Sequence, residues 1–130
     1  MLNEGYDFSF SGLKTSVINY VRKHPETSIE DIATSFQEAV VDVLVTKARK
    51  AALEIGAKGI CIGGGVAANS RLREAVLDAC LEEDLQSFVP SRSYCTDNAA
   101  MVAAAAWRRY HQDGSSSLFT GADPNLRLPE

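Results

Sequence analysis

Ile60-Cys61-Ile62-Gly63-Gly64-Gly65-Val66-Ala67-Ala68-Asn69-Ser70-Arg71-Leu72 is the stretch that decides how this chain is read. A short apolar β-type run stops at three glycines, and amphipathic helical spacing resumes at Leu72, Ala75, Val76, Ala79 and Cys80. That order brings the carboxyl end of a strand and the amino end of a helix to one point. Glycines remove the side chains that hold a ligand away from the backbone. The N–H groups and dipole at a helix start favour an anion. The stretch therefore reads as a phosphate or nucleotide cradle, set against the plainer alternative of a tight connection. It fits neither G-x-G-x-x-G nor G-x-x-x-x-G-K-[ST], so the dinucleotide and P-loop fingerprints do not apply. Asn69 stands where the helix starts. Its carboxamide either caps the helix by accepting a backbone N–H or reaches the polar atoms of a ligand.

Upstream, Tyr6-Asp7-Phe8-Ser9-Phe10-Ser11 alternates aromatic and polar residues, as a half-buried strand does. Gly12 breaks it, and Leu13, Val17, Tyr20 and Val21 then mark a helix ending before Pro25. Ser28-Ile29-Glu30-Asp31 has the form of a capping box. It opens a long helix whose apolar positions (Ile29, Ile32, Ala33, Phe36, Val40, Val43, Leu44, Ala51) run down to Gly56, a C-terminal stop. Downstream, Leu85 to Val89 is a short strand ended by Pro90, and Thr96-Asp97-Asn98 precedes an alanine-rich helix from Ala99 to about Tyr110. Strand–helix alternation in the second half predicts a parallel βαβ unit. Residues 1–113 are expected to form the folded part and 114–130 an extended tail.

In a βαβ unit, ligands sit at the carboxyl ends of the strands. The loops Gly63–Asn69 and Tyr94–Asn98 are expected to meet there. A carboxylate beside such a loop, Asp97, either coordinates a cation through hard oxygen or caps the last helix. Ser9, Ser11, Lys14 and Thr15 around Gly12 form either a second anion contact or an ordinary turn with a solvated lysine. Arg71 and Arg73 either assist a phosphate or, as is commoner, are helix-surface charge; Arg108 and Arg109 read as a solvated face, and His24 and His111 as exposed and isolated. No Ser–His–Asp or Cys–His set can be assigned.

Composition bounds these readings. The chain has 130 residues, 45% of them hydrophobic, and a formal charge of −4. It suits one small globular domain, and the charge gives no electrostatic reason to bind nucleic acid alone, which usually needs a basic face. Cys61, Cys80 and Cys95 lack C-x-x-C spacing. Cys61 and Cys80, in strand and helix patterns, read as packed thiols in a reducing compartment. No signal-peptide pattern and no apolar run of transmembrane length occurs, so the expected location is cytoplasmic, with no membrane contact.

Three blocks together carry a resemblance: Asp7-Phe8-Ser9-Phe10-Ser11-Gly12-Leu13-Lys14-Thr15, the glycine stretch from Gly63 to Leu72, and Cys95-Thr96-Asp97-Asn98-Ala99-Ala100-Met101. In order and spacing the chain resembles the carboxyl-terminal part of the tRNA adenosine threonylcarbamoyltransferase family, formerly described as O-sialoglycoprotein endopeptidase or glycoprotease. The resemblance implies an α/β fold: part of the second lobe of an actin-like, sugar kinase or Hsp70-type ATPase architecture, with a small, partly parallel sheet packed by helices. It implies a transferase that moves a threonylcarbamoyl group from threonylcarbamoyl-AMP to the exocyclic amine of adenosine next to the anticodon. By the same resemblance Asn69 contacts the nucleotide-bearing substrate, Gly64 and Gly65 form the backbone cradle beside it, and Asp97 supplies a carboxylate to an iron or zinc ion. The implied partners are an ATP-like nucleotide or threonylcarbamoyl-AMP, tRNA through the complete protein, a catalytically silent paralogue and a small ATPase.

The family's remaining metal ligands, two histidines four residues apart, have no counterpart here. This marks the chain as a fragment or a degenerate paralogue, expected to be inactive alone, to hold iron or zinc weakly, and to pair as a homodimer through exposed surfaces. The competing reading is a non-enzymatic interaction module of the same fold. A metal-dependent glycoprotease ranks last, since the chain has no H-E-x-x-H.

Overall fold

The computed structural model describes residues 5–121 and 123–125. Ser28 starts the longest element, α2 (Ile29–Glu54): its Oγ accepts from the Asp31 N–H at 3.0 Å. Glu30 and Asp31 in the first turn suit the positive end of the helix dipole. The helix closes as the glycine predicts. Gly56, at φ +64°, lets its own N–H donate to the Leu53 carbonyl at 3.3 Å and the Ala57 N–H to the Ala52 carbonyl at 2.8 Å. Before α2 lies α1 (Leu13–Lys23). After it come β1 (Gly59–Cys61), α3 (Ser70–Glu82) and β2 (Gln86–Phe88). The last helix is α4 (Ala99–Asp113).

β1 and β2 pair in parallel, Gly59 opposite Gln86, Ile60 opposite Ser87 and Cys61 opposite Phe88. With α3 as the connection, this is the expected βαβ unit. The protein is α/β, with a small two-stranded parallel sheet and four helices. The chain forms two compact units, Met1–Thr96 and Asp97–Glu130. The first holds the core: Val41 and Ala52 of α2, Ile60 of β1, and Leu72, Val76 and Cys80 of α3. The second holds α4, capped by Asn98, whose side chain accepts from the Met101 N–H at 2.9 Å. From Gly114 onward the described residues carry no helix or strand; residue 122 and residues 126–130 of the expected tail lie outside them.

Three expectations are corrected. The segment Tyr6–Ser11 is no strand. Its alternation is real, for the Phe8 and Phe10 rings stack at 6.4 Å, but the surface it follows is helix α2. Cys61 is exposed rather than packed, because its side chain points away from the face of β1 that buries Ile60. The buried stripe of α2 is the expected one only in part, with Val43 buried as the spacing predicts. Val41 and Ala52 enter the core with Leu44, Val45 and Ala48 packed around them, whereas Ile29 and Phe36 remain exposed. Cys80 is buried as expected. Among the described residues no helix is long and apolar enough to cross a membrane.

Candidate functional site

The sheet runs one bond beyond β1, where the Ile62 N–H donates to the Phe88 carbonyl at 3.2 Å, and then the chain leaves it at Gly63. Gly64 takes φ +79°, ψ 174°, a conformation essentially reserved for glycine. A 3-10 turn, Gly65–Ala68, follows before α3. It is closed by the Ala67 N–H on the Gly64 carbonyl and the Asn69 N–H on the Val66 carbonyl, both at 3.0 Å; none of these turn bonds uses the N–H of Gly63, Gly64 or Gly65. Ala67, 1% exposed, anchors the turn in the core. A Cβ added at Gly63, Gly64 or Gly65 would meet nothing within 4 Å. Packing inside this chain therefore does not account for the glycines, and space above the loop is open. Gly59 is the contrast, since a Cβ there would lie 2.3 Å from the Gln86 carbonyl oxygen.

Asn69 caps α3. Its Oδ1 accepts from the Leu72 N–H at 2.9 Å, and its Nδ2 donates to Gln37 Oε1 of α2 at 2.9 Å. The two contacts fix which end of the carboxamide faces which way. They leave one N–H and one oxygen lone pair for another partner, so the capping role and a ligand contact do not exclude each other.

Arginines brace the loop. Arg73 Nη1 donates to the Ala67 carbonyl at 3.0 Å and lies 3.9 Å from Cys95 Sγ. Arg92 Nη2 donates to Ser70 Oγ at 2.8 Å. These bonds bring Arg92 and Cys95 to the start of α3. The expected meeting of the two loops is thus found as far as Cys95, while Asp97 and Asn98 belong to the second unit. Arg71 is engaged elsewhere: its Nε bonds Glu38 Oε1 at 2.8 Å. That hydrogen bond and the Glu38 charge hold its guanidinium further above its usual pKa.

Beside the glycine loop an apolar groove of about 800 Å³ opens between α1 and α2. Phe10 and Leu13, Phe36 and Val40 of α2, and Val66 and Asn69 are among its lining residues. Lys14 is the cation on its lining. Sequence spacing did not reveal this groove, although the cluster around Gly12 lies at its edge. His24 and His111 are exposed, as expected.

Asp97 is exposed and immediately precedes the α4 cap. The cap itself is Asn98, so the structural alternative for Asp97 is narrowed to its charge near the helix start. Among the described residues no three His, Cys, Asp or Glu side chains gather to hold a metal ion.

The distinctive chemistry of this α/β chain is thus an open backbone loop at the carboxyl end of a strand, braced from below and flanked by an apolar groove. The family model described as tRNA N6-adenosine threonylcarbamoyltransferase (TsaD) matches residues 1–104, and the chain belongs to that family. All three blocks singled out in the sequence lie inside the matched residues. It is 48% identical over 129 residues to the tRNA N6-adenosine threonylcarbamoyltransferase of Caldicellulosiruptor saccharolyticus, covering 96% of this chain and 38% of that protein. Its identity to the Carboxydothermus hydrogenoformans protein of the same name is 50% over 127 residues, covering 98% of this chain and 38% of the relative. The Kosmotoga olearia protein of that name is 46% identical over 129 residues, covering 98% of this chain and 39% of its own length. The chain therefore spans less than two-fifths of the curated relatives it matches.

Proposed function

We propose that this chain is the carboxyl-terminal part of a tRNA-modifying acyltransferase, contributing the second lobe of an actin-like cleft. The reaction is transfer of a threonylcarbamoyl group from threonylcarbamoyl-AMP to the exocyclic amine of the adenosine next to the anticodon. The observation that carries this reading is the family match, which includes the open glycine loop and its cap.

In this reaction the amine nitrogen forms a bond to the carbamoyl carbonyl carbon. The bond from that carbon to the AMP phosphate oxygen breaks, AMP leaves with the electron pair, and the amine gives up a proton to solvent. Positioning and anion stabilisation supply most of what such a step needs. The backbone at Gly64 and Gly65 is assigned to the phosphate, and the remaining N–H of Asn69 to the nucleotide-bearing substrate. The groove beside Val66 takes the base end of that nucleotide. Asp97 is assigned as one ligand of an iron or zinc ion. One carboxylate does not fit a resident ion of either kind, which takes three or four protein ligands, so no step above is routed through metal. With a net charge of −4, affinity for tRNA must come from the rest of the enzyme or from partners, for which the silent paralogue and small ATPase are proposed.

Asn69→Ser tests the site. Serine keeps a good cap but cannot reach beyond the helix start. AMP binding, followed by NMR, should weaken about tenfold, a loss of one hydrogen bond to a charged or polar ligand. The thermal midpoint should change little. Unchanged AMP affinity, or no AMP binding by the unsubstituted chain, would overturn the nucleotide reading.

A further inference from the structure

Lys47 is 8% exposed and is the buried charged residue among those described. Lysine is almost never fully buried unless paired. Here the ammonium donates to a backbone carbonyl, that of Asp7, at 2.6 Å, forty residues away in the chain. It also lies 5.9 Å from the centroid of the Phe8 ring, an attraction that strengthens when the cation is desolvated. One helical turn on, Lys50 Nζ is 6.0 Å from the Tyr6 ring centroid, and the Tyr6 hydroxyl donates to Glu54. In the other direction Phe10 stacks on Phe8 and lines the groove with Val40 and Leu44 of α2.

The segment thus lies along α2 as a strap running opposite to the helix. Two residues of extended chain advance about 6.6 Å, close to the ~5.4 Å of a helical turn. Every second side chain therefore meets a successive turn, which is why the alternation of a strand suits a helix surface. Two contacts of this strap, at Tyr6 and Phe8, involve half-exposed side chains. Among the described residues the Lys47 side chain is the one that grips the strap's backbone from a buried position.

We propose that Lys47 is a positioning residue: by holding the Asp7 carbonyl it sets the register of the 6–10 strap, so that Phe10 and Leu13 wall the groove that Val66 and Asn69 also line. Resting on the nucleotide reading above, this wall sets the affinity for the base end of the nucleotide. Lys47 is not among the lining residues of the groove and acts on it through the strap.

Hydrogen exchange and AMP titration of Lys47→Met and Lys47→Arg separate the possibilities. In Lys47→Met the amides of residues 7–13 should exchange about tenfold faster, as expected for loss of a hydrogen bond from a charged donor to a locally opening segment. Amides of α3 should keep their protection, and AMP affinity should fall about fivefold or more. Lys47→Arg, which retains a cationic donor, should restore most of both. If Lys47→Met does not fold, the pair Tyr6→Ala and Phe8→Ala loosens the strap without touching the core and should give the same two changes. Unaltered exchange over residues 7–13 would overturn the proposal, and so would a loosened strap with unaltered AMP affinity. Failure of the unsubstituted chain to bind AMP is a different result: it overturns the nucleotide reading, while exchange alone then decides whether Lys47 holds the strap.

Discussion

Replacing Gly59 by alanine drives a methyl group into the backbone of the neighbouring strand. The new Cβ would lie 2.3 Å from the Gln86 carbonyl oxygen, 2.9 Å from Gln86 Cβ and 3.0 Å from the Gln86 carbonyl carbon. Backbone atoms cannot swing aside as the end of a long side chain can, so β1 and β2 must separate by roughly 1 Å to restore normal contact. The sheet has two strands of three residues, and the bond from the Gln86 N–H to the Lys58 carbonyl, 2.9 Å, lies directly beside the clash. Overpacking costs about 1–3 kcal/mol and a weakened hydrogen bond about 1 kcal/mol. The sum is about 2–4 kcal/mol, a large part of the ~5–15 kcal/mol that holds an ordinary domain. Urea unfolding should show a lower midpoint at constant slope, and the thermal midpoint should fall by roughly 10–25 °C. Gly63→Ala is the internal control, because a Cβ there meets nothing within 4 Å; its stability should stay within about 1 kcal/mol of the parent. A Gly59→Ala protein within about 0.5 kcal/mol of the parent would refute the packing argument, and equal destabilisation by both changes would refute the distinction between a structural and an open glycine.

Asp84 closes α3 in the left-handed region at φ +54°, with the Leu85 N–H on the Cys80 carbonyl at 2.8 Å; Asp84→Gly should stabilise by about 0.5–1 kcal/mol in urea unfolding. Tyr6 has its pKa raised by the hydrogen bond to Glu54, then by burial and by the Glu54 charge. Its contact is therefore complete below the ordinary tyrosine value and is lost as pH climbs past the raised one, which an ultraviolet titration against Tyr6→Phe will show as a late-ionising phenol. Dialysed protein should carry no stoichiometric iron or zinc by elemental analysis, since Asp97 is the one ligand the family pattern supplies here; one tightly held ion per chain would refute this.

Where a local signal and its partner lie close together, the sequence was legible. Ser28 and Gly56 bounded α2 because capping oxygens and left-handed glycines act within one turn. The βαβ unit followed from strand, glycine turn, helix and strand in short succession. What failed was long-range. The Tyr6–Ser11 alternation names a surface with a period of about 6–7 Å, and only tertiary packing decides whether a strand or a helix supplies it. Lys47 carried no apolar signal, yet it is buried because an acceptor forty residues away comes to meet it. The compatibility of the two Asn69 readings was likewise hidden: the cap and the Gln37 bond together still leave one N–H and one lone pair on the carboxamide.

The arginines near the loop are each tied to a partner within the chain. A guanidinium is the usual partner of a phosphate, and three stand close by in sequence. Arg73 donates to the Ala67 carbonyl, Arg92 to Ser70 Oγ, and Arg71 to Glu38, with Glu74 3.6 Å from its Nη1. Arg73 ties the end of the turn to α3, and Arg92 and Arg71 hold the helix that follows it. A loop stiffened in this way presents N–H dipoles that need no reorganisation on binding. Its reach is short, because dipoles, unlike net charge, do not steer a polyanion from a distance. A formal charge of −4 adds no net long-range attraction for a polyanion. Loosening the brace rather than deleting a charge should therefore be what damages this site: Arg73→Lys, which keeps the charge but loses the planar fork, should impair AMP binding nearly as much as Arg73→Ala.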